Sequence, residues 1–338
     1  MTFLIIYLVF VTTACNGSQK TEPVEKSNFA LNTIITIQAY GPHANEAIDK
    51  AFERILEVEE KMTTKDDLSE VNMINKKAGD GFQAVSTDTF FVIKKGMQYS
   101  ESTNGIFDIT VGPLVKLWGI GTDEARIPSN EEINLALKLV DYRKVELNEN
   151  ENSVFLKTPG MAIDLGGIAK GFAADEVVRI LKENGVESAI ADLGGNLYVI
   201  GSKPNGMPWN IGIQNPFNIR GSIFATVKVS DKTLVSSGPY ERYFEENGET
   251  YHHILDTRTG FPVDNGLMGI TIISDSSIDA DALSTSVFAL GLVEGMKFIE
   301  EKKGVDAVFV TSDYMVYTTS GIEKYNFEIT DEQFTFVE

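Results

Sequence analysis

The sequence predicts an α+β fold in which mostly antiparallel sheets and packed helices form one compact unit. Apolar residues recur at every second position in some stretches and at helical spacing in others. These stretches do not follow one another in the regular strand-helix alternation of a doubly wound sheet. After Phe29 no Pro/Ser-rich linker, repeat or low-complexity tract divides the chain, so no domain boundary is visible.

Residues 3–11 (FLIIYLVFV) form the first strongly apolar run, about half of what a bilayer-spanning helix needs and well matched to the apolar region of a secretory signal. The run ends at Thr12-Thr13-Ala14-Cys15, and small residues ahead of a cysteine resemble the processing site of bacterial lipoproteins. Residues 1–14 are therefore expected to be a signal peptide, with Cys15 the lipidated first residue of the mature chain. Residues 16–27 are polar, so 15–28 reads as a lipid-bearing flexible tether and 29–338 as the folded domain. An aliphatic residue is usual where Thr12 stands and no Lys or Arg precedes the run. The other reading, a buried cysteine on an N-terminal strand, therefore stays open.

Residues 31–39 (LNTIITIQA) alternate as a half-buried strand does, and 43–62 carry Ala47, Ile48, Ala51, Phe52, Ile55, Leu56 and Val58 at helical spacing. Further helices are expected at 87–102, 130–140, 168–183 and 282–301, the last stopped by Gly304. Strands are expected at 154–157, 189–191, 197–200, 209–213, 222–229, 234–237, 251–256, 269–273, 307–311 and 315–319. Asn247-Gly248 lies between two strand-like runs, the strongest short hairpin signal in the chain.

Composition narrows the functional classes. With 29 Lys plus Arg against 49 Asp plus Glu, the formal charge of −20 repels phosphate backbones and anionic lipid head groups, and no local basic patch offsets it. Nucleic acid is not an expected partner. One cysteine cannot form an internal disulfide, and 43% apolar with 23% charged residues is the balance of an ordinary globular protein.

Three segments could carry chemistry. Asp164-Leu165-Gly166-Gly167-Ile168-Ala169-Lys170-Gly171 follows a strand-like stretch and opens a helix. Glycines there let backbone amides approach an anion, and Lys170 adds a charge within the first turn. The spacing matches neither the Walker pattern nor GxGxxG, and a plain strand-to-helix turn with a solvated lysine remains the alternative. Asp281 and Thr285 stand four residues apart at the start of a helix, so their oxygens share a face and could hold a hard cation such as Mg2+. Helix capping by Asp279 or Asp281 is the competing explanation. Two of the three histidines, His252 and His253, are neighbours, so on a strand only one can face a given site. Histidine is the natural base for a hydroxyl nucleophile near neutral pH. His43, in a loop, is read as incidental, and the turn at Asp192-Leu193-Gly194-Gly195-Asn196 as structural. Trp118, in a glycine-rich loop, could stack on a flat heterocycle, although core packing is the commoner role for such a residue.

Together the segments FDITVGPLVKLWGIG, AIDLGGIAKGFAAD, ADLGGNLYVIG, YHHILDTRTGFPV and DADALSTSVFALG resemble the ApbE family, the FAD:protein FMN transferases, in order and over most of residues 29–321. The resemblance implies a Mg2+ ion that holds the FAD pyrophosphate and transfer of FMN to a Thr or Ser hydroxyl of a flavoprotein partner, with release of AMP. By motif it implies a metal site of Asp281, Thr285 and the backbone carbonyl of Gly167, with Asp281 and His253 catalytic. Trp118, Gly119 and Ile120 would wall the flavin pocket, Asp164 and Lys170 would lie near FAD, and Leu31 would stand at the entrance. Thr257 replaces the proline usual in HxxDP, which is expected to loosen that turn. Thr33 follows Asn32 where Gly-Thr is common. Lys65 lies near the place where many members carry an aromatic residue over the flavin.

The expected activity is thus Mg2+-dependent transfer of FMN from FAD to protein, by an enzyme lipid-anchored outside the cytoplasm of a bacterium. One alternative uses the same residues, a Mg2+-dependent FAD pyrophosphatase with water as acceptor; another, of a different class, is a flavin-binding lipoprotein without turnover, against which Asp281, Thr285 and His253 argue, since storage needs neither a metal nor a base.

Overall fold

The computed structural model describes residues 22–337, so Cys15 and the expected signal lie outside the described residues. The chain opens with a hairpin of β1 (Val24–Ala30) and β2 (Thr33–Tyr40). α1 (Ala44–Met62), α2 (Glu70–Lys76), β3 (Gln83–Ala84) and α3 (Thr87–Ser102) follow. Next come α4 (Gly112–Trp118), α5 (Asn130–Leu137), β4 (Val145–Asn148), β5 (Ser153–Leu156) and α6 (Ala169–Glu183). The central strands are β6 (Ser188–Asp192), β7 (Asn196–Ile200), β8 (Trp209–Gln214), β9 (Ile223–Val229) and β10 (Lys232–Ser237). A hairpin of β11 (Tyr243–Glu246) and β12 (Glu249–His252) precedes β13 (Leu267–Ser274), α7 (Ser277–Leu290) and α8 (Leu292–Glu300). β14 (Asp306–Thr311), β15 (Met315–Thr318), β16 (Glu328–Ile329) and β17 (Thr335–Phe336) end the chain.

Nine strands form the main sheet in the order β1-β2-β6-β7-β10-β13-β14-β15-β17, antiparallel throughout except between β15 and β17. The α+β expectation holds. On β2 the alternation buries Ile35, Ile37 and Ala39 against Ala47, Ile48, Ala51, Ile55 and Val58 of α1, in the largest apolar cluster. Each such isoleucine contributes about 1.5–3 kcal/mol of transfer free energy. Leu56, by contrast, lies on the solvent side of α1. β13 is buried on both faces, as a central strand must be, between α7 and the β8-β9-β16 sheet.

Five local expectations change. The sheet begins at Val24, inside the stretch read as tether, because β1 pairs with β2 along its whole length. The helix expected at 282–301 is two helices, α7 starting five residues earlier at Ser277 and breaking at Gly291, whose φ of 81° and ψ of 177° leave the helical region. The helix expected at 130–140 ends at Leu137, and the strand expected at 251–256 ends at His252. Trp118 is not in a loop but closes the short helix α4, which Pro113 opens and Gly119 terminates at a left-handed φ of 61°. Asn247 and Gly248 do form the tight β11-β12 turn, at φ of 56° and 82°.

Candidate active site

The site begins where α6 and α7 cross. Asp164 Oδ1 accepts from Gly166 N–H at 2.8 Å, a local turn that carries the chain past Gly167 into α6. One turn on, Gly171 N–H donates to Asp281 Oδ2 at 2.8 Å. A side chain at Gly171 would put its Cβ 2.3 Å from the Ser277 carbonyl oxygen, so glycine is what lets the two helices approach this closely. Asp281 is only 4% exposed. Desolvation holds its carboxyl above the usual range, against the nearby Lys170 charge and the Gly171 amide, which act the other way.

Thr285 lies one turn further along α7. Among the described residues no protein hydrogen bond engages its hydroxyl or Asp281 Oδ1. A Cβ placed on Gly167 would come within 3.3 Å of Thr285 Oγ1, so the absent side chain leaves a cradle bounded by Gly167 and Thr285. A carboxylate oxygen, a hydroxyl and a main-chain carbonyl are the hard oxygen donors that Mg2+ takes, the remainder being water and phosphate. The residues present therefore fit the ion. No cluster of three or more His, Cys, Asp or Glu that could hold a metal occurs among the described residues.

Lys170 points along the α6 N-terminus with Nζ 3.4 Å from the Gly194 carbonyl oxygen. Gly194 in turn abuts Thr33, where a Cβ would stand 2.2 Å from Thr33 Oγ1. This places the β1-β2 turn, with half-buried Leu31 at φ 51°, beside Lys170. Lys65 Nζ donates to Asn32 Oδ1 at 3.0 Å and braces the same turn.

The two histidines part company. His252 is buried, with Nε2 2.8 Å from the Val263 carbonyl oxygen and Nδ1 accepting from Ile254 N–H, a satisfied core residue. His253 faces the other way. Its Nδ1 stands 3.2 Å from the Arg242 carbonyl oxygen, which can only accept, so Nδ1 carries the proton and Nε2 keeps a free lone pair. Burial, then the charges of Arg242 and His252 and, after a weaker opposing hydrogen bond, Lys170, push its pKa well below the ordinary value. A neutral imidazole with Nε2 open can accept a proton from a hydroxyl. The following turn is tied, not loosened: Thr257 Oγ1 donates to the Gly105 carbonyl at 2.6 Å and Gly260 N–H to the Asp256 carbonyl at 2.7 Å.

The segment expected to wall the flavin carries its tryptophan into the core. Trp118 is 0% exposed, stacked on Tyr251 and hydrogen-bonded through Nε1 to the Gly260 carbonyl at 2.8 Å. Its ring belongs to a core cluster with Leu114, Ile133 and Leu255, against which half-buried Ile120 also packs, and Gly119 beside them is half-buried.

Four contributors escaped the sequence reading. Gly171 and Asn196 stood inside quoted motifs without a role. Asn196, 0% exposed, accepts from Ser277 Oγ at 2.6 Å and braces α7. Asp175 accepts from Ser277 N–H and Ile278 N–H at 2.8 and 2.9 Å, and burial pushes its pKa up to about 6. Its spacing of four from Gly171 placed it on the α6 face toward α7. Arg242 had no signal, since its carbonyl and its charge meet His253 only through the fold.

Residues 31–309 match the ApbE family. A protein of Treponema pallidum (strain Nichols) named FAD:protein FMN transferase is 32% identical over 326 residues, covering 91% of this chain and 90% of its own length. One of Klebsiella pneumoniae (strain 342) with the same name is 36% identical over 290 residues, covering 86% and 90%. Among solved structures, an ApbE protein from Thermotoga maritima superposes with a TM-score of 0.83 at 32% identity, over 90% of this chain and 99% of that one. The flavin transferase ApbE from Vibrio cholerae gives 0.81 at 27% identity, over 90% and 99%.

Proposed function

This chain belongs to the ApbE family, and on that premise we propose that it is an FAD:protein FMN transferase using Mg2+ to move FMN from FAD to a Thr or Ser hydroxyl of a flavoprotein partner. The observation that carries the reading is the pairing of two half-sites. Asp281, Thr285 and Gly167 present unengaged oxygens at the α6-α7 crossing, while His253 presents a neutral, correctly protonated imidazole within electrostatic reach of Lys170.

Bound there, Mg2+ would offset the charge of the FAD pyrophosphate and reconcile an acidic chain with a phosphorylated substrate. His253 Nε2 takes the proton of the acceptor hydroxyl. The hydroxyl oxygen forms a bond to the FMN phosphorus as the bond from that phosphorus to the bridging oxygen breaks, and AMP leaves with the bridging oxygen. The proton on His253 passes to solvent. Lys170 supports the charge that builds on the phosphate oxygens, and Gly171 N–H fixes the Asp281 carboxylate. Asp164 shapes the turn from which Gly167 and Lys170 project.

A second reading, hydrolysis of FAD with water as acceptor, is favoured by Lys65 near the place where many members carry an aromatic residue, its amine held on Asn32. Incubation with FAD, Mg2+ and the acceptor domain of a membrane flavoprotein should give a covalently labelled, fluorescent band. Free FMN with AMP and no band would leave hydrolysis, and undiminished labelling by Asp281→Ala would overturn the metal site. The same proposal places the enzyme outside the cytoplasm, anchored through Cys15. Retention of Cys15→Ser in the membrane fraction would count against that anchor.

A further inference from the structure

A cleft of about 490 Å³ lies between the β8-β9 connection, residues 215–222, and the segment that leads into β11. Phe217, Ile219 and Arg220 line one side, and Tyr240, Glu241 and Tyr243 the other. The second side is continuous with the base: Arg242 O accepts from His253 N–H at 3.1 Å, and Tyr243 pairs with His252 across the hairpin.

The connection is built to hold its shape. Phe217 stacks on Tyr314 with ring centroids 4.0 Å apart. Asn215, 1% exposed, accepts from Phe217 N–H at 2.9 Å and donates to Asp331 Oδ2 at 3.1 Å. From this pinned loop Ile219 projects 85% exposed, facing a Tyr243 that is 49% exposed. Two large apolar side chains held in water on opposite lips of a cleft mark a surface for another polypeptide.

Charge gives the partner a character. Arg54, Arg126, Arg143, Arg179 and Arg258 each hold a carboxylate. Arg220 and Arg242 have no ion pair among the described residues, in a chain of net charge −20. A bare guanidinium on one lip attracts a carboxylate, and Glu241 on the opposite lip repels it, so together they fix which way an acidic segment lies.

We propose that this cleft seats the acceptor polypeptide of the transfer reaction, as an extended segment with an acidic side chain against Arg220 and an apolar one between Ile219 and Tyr243, so that its hydroxyl reaches His253. The proposal rests on the transferase reading above. Its test is a panel of synthetic peptides, each with one Thr flanked by Asp, Asn or Lys, incubated with full-length enzyme, FAD and Mg2+. FMN attachment is read by mass spectrometry, and FAD affinity by quenching of flavin fluorescence.

The wild type should label Asp-flanked peptides with a KM about tenfold below that of Lys-flanked ones, and Arg220→Glu should invert the order. Ile219→Ser should raise KM for every peptide about fivefold at unchanged kcat. FAD affinity should stay that of wild type in both variants. Labelling with no flank preference, or with the same preference in Arg220→Glu, overturns the docking proposal and leaves transfer intact. Weaker FAD binding by Arg220→Glu would assign the cleft to the adenylate half of FAD and overturn it as well. AMP release with no peptide labelled would overturn both this proposal and transfer, in favour of hydrolysis.

Discussion

Gly171→Ala puts the tightest contact of the site under test. Its Cβ would stand 2.3 Å from the Ser277 carbonyl oxygen, 2.7 Å from Asp281 Cβ and 2.7 Å from Ile278 Cα. Non-bonded carbon contacts settle near 3.5 Å, so α6 and α7 must part by about 1 Å at this point. The atoms met are backbone and Cβ, and none is the far end of a flexible side chain. Overpacking of this kind costs about 1–3 kcal/mol, offset by up to about 1 kcal/mol from the better helix propensity of alanine. The net loss of about 1–2 kcal/mol corresponds to a Tm fall of roughly 1.5–3 °C in a domain of this size, at about 2.1 cal/mol/K of unfolding entropy per residue. The same 1 Å moves Asp281 away from the Gly171 amide and, with Thr285, away from Gly167, and a displacement of that size near a reacting centre costs about 10²-fold in rate. Thermal unfolding and Mg2+-dependent AMP release on the same preparation separate the two effects. A variant with wild-type Tm and wild-type rate would refute both the tightness of the crossing and its part in holding Asp281.

Asp281→Asn keeps the shape and an acceptor for Gly171 N–H but removes the charge; Mg2+-dependent turnover should fall at least about 10²-fold with little change in Tm. Because the folded-state pKa of His253 lies well below 6.5, the acid limb of the rate profile should fall clearly below pH 6.5; a limb at or above pH 7 would count against His253 as the base. By the same sign, both neutral histidines favour the fold above the unfolded pKa of about 6.5, and that contribution is lost as pH falls and the unfolded chain protonates first; calorimetry between pH 5 and 8 would register it. Trp118→Phe leaves the Gly260 carbonyl without its donor inside a packed cluster and should cost about 1–3 kcal/mol of stability.

What the sequence disclosed followed its periodicities. β2 and α1 each carry one clean apolar face, and Asn247-Gly248 needs two positive φ angles that few other dipeptides accept. α4 was missed because seven residues give too few turns for a period to emerge, although Pro113 and Gly119 were its start and stop signals. α7 was mis-bounded for the opposite reason. It is buried nearly all round, so no amphipathic stripe marks its ends. At the site, the four-residue spacing of Asp281 and Thr285 survives in space because it lies within one helix. The Gly171-Asp281 and Arg242-His253 contacts do not follow from any spacing, since each joins elements brought together only by the whole fold.

The two halves of the site differ in how they are held, and this bears on the order in which substrates meet them. Asp281, Thr285 and Gly167 sit at the crossing of buried helices, where Asp175, Asn196 and Gly171 each fix α7. His253 stands half-buried just past β12, at the base of the β11-β12 hairpin, with Arg242 O the main anchor of both its N–H and its Nδ1. A pyrophosphate needs the first kind of support, because charge stabilisation depends on dipoles that do not reorganise. A protein hydroxyl needs the second, because it must reach the base from outside. If FAD occupies the rigid half first, the acceptor completes the site from the hairpin side. Burst measurements should then show FAD bound at wild-type affinity by His253→Gln, with AMP release lost. A His253→Gln enzyme that no longer binds FAD would place the base within the nucleotide half and remove this division.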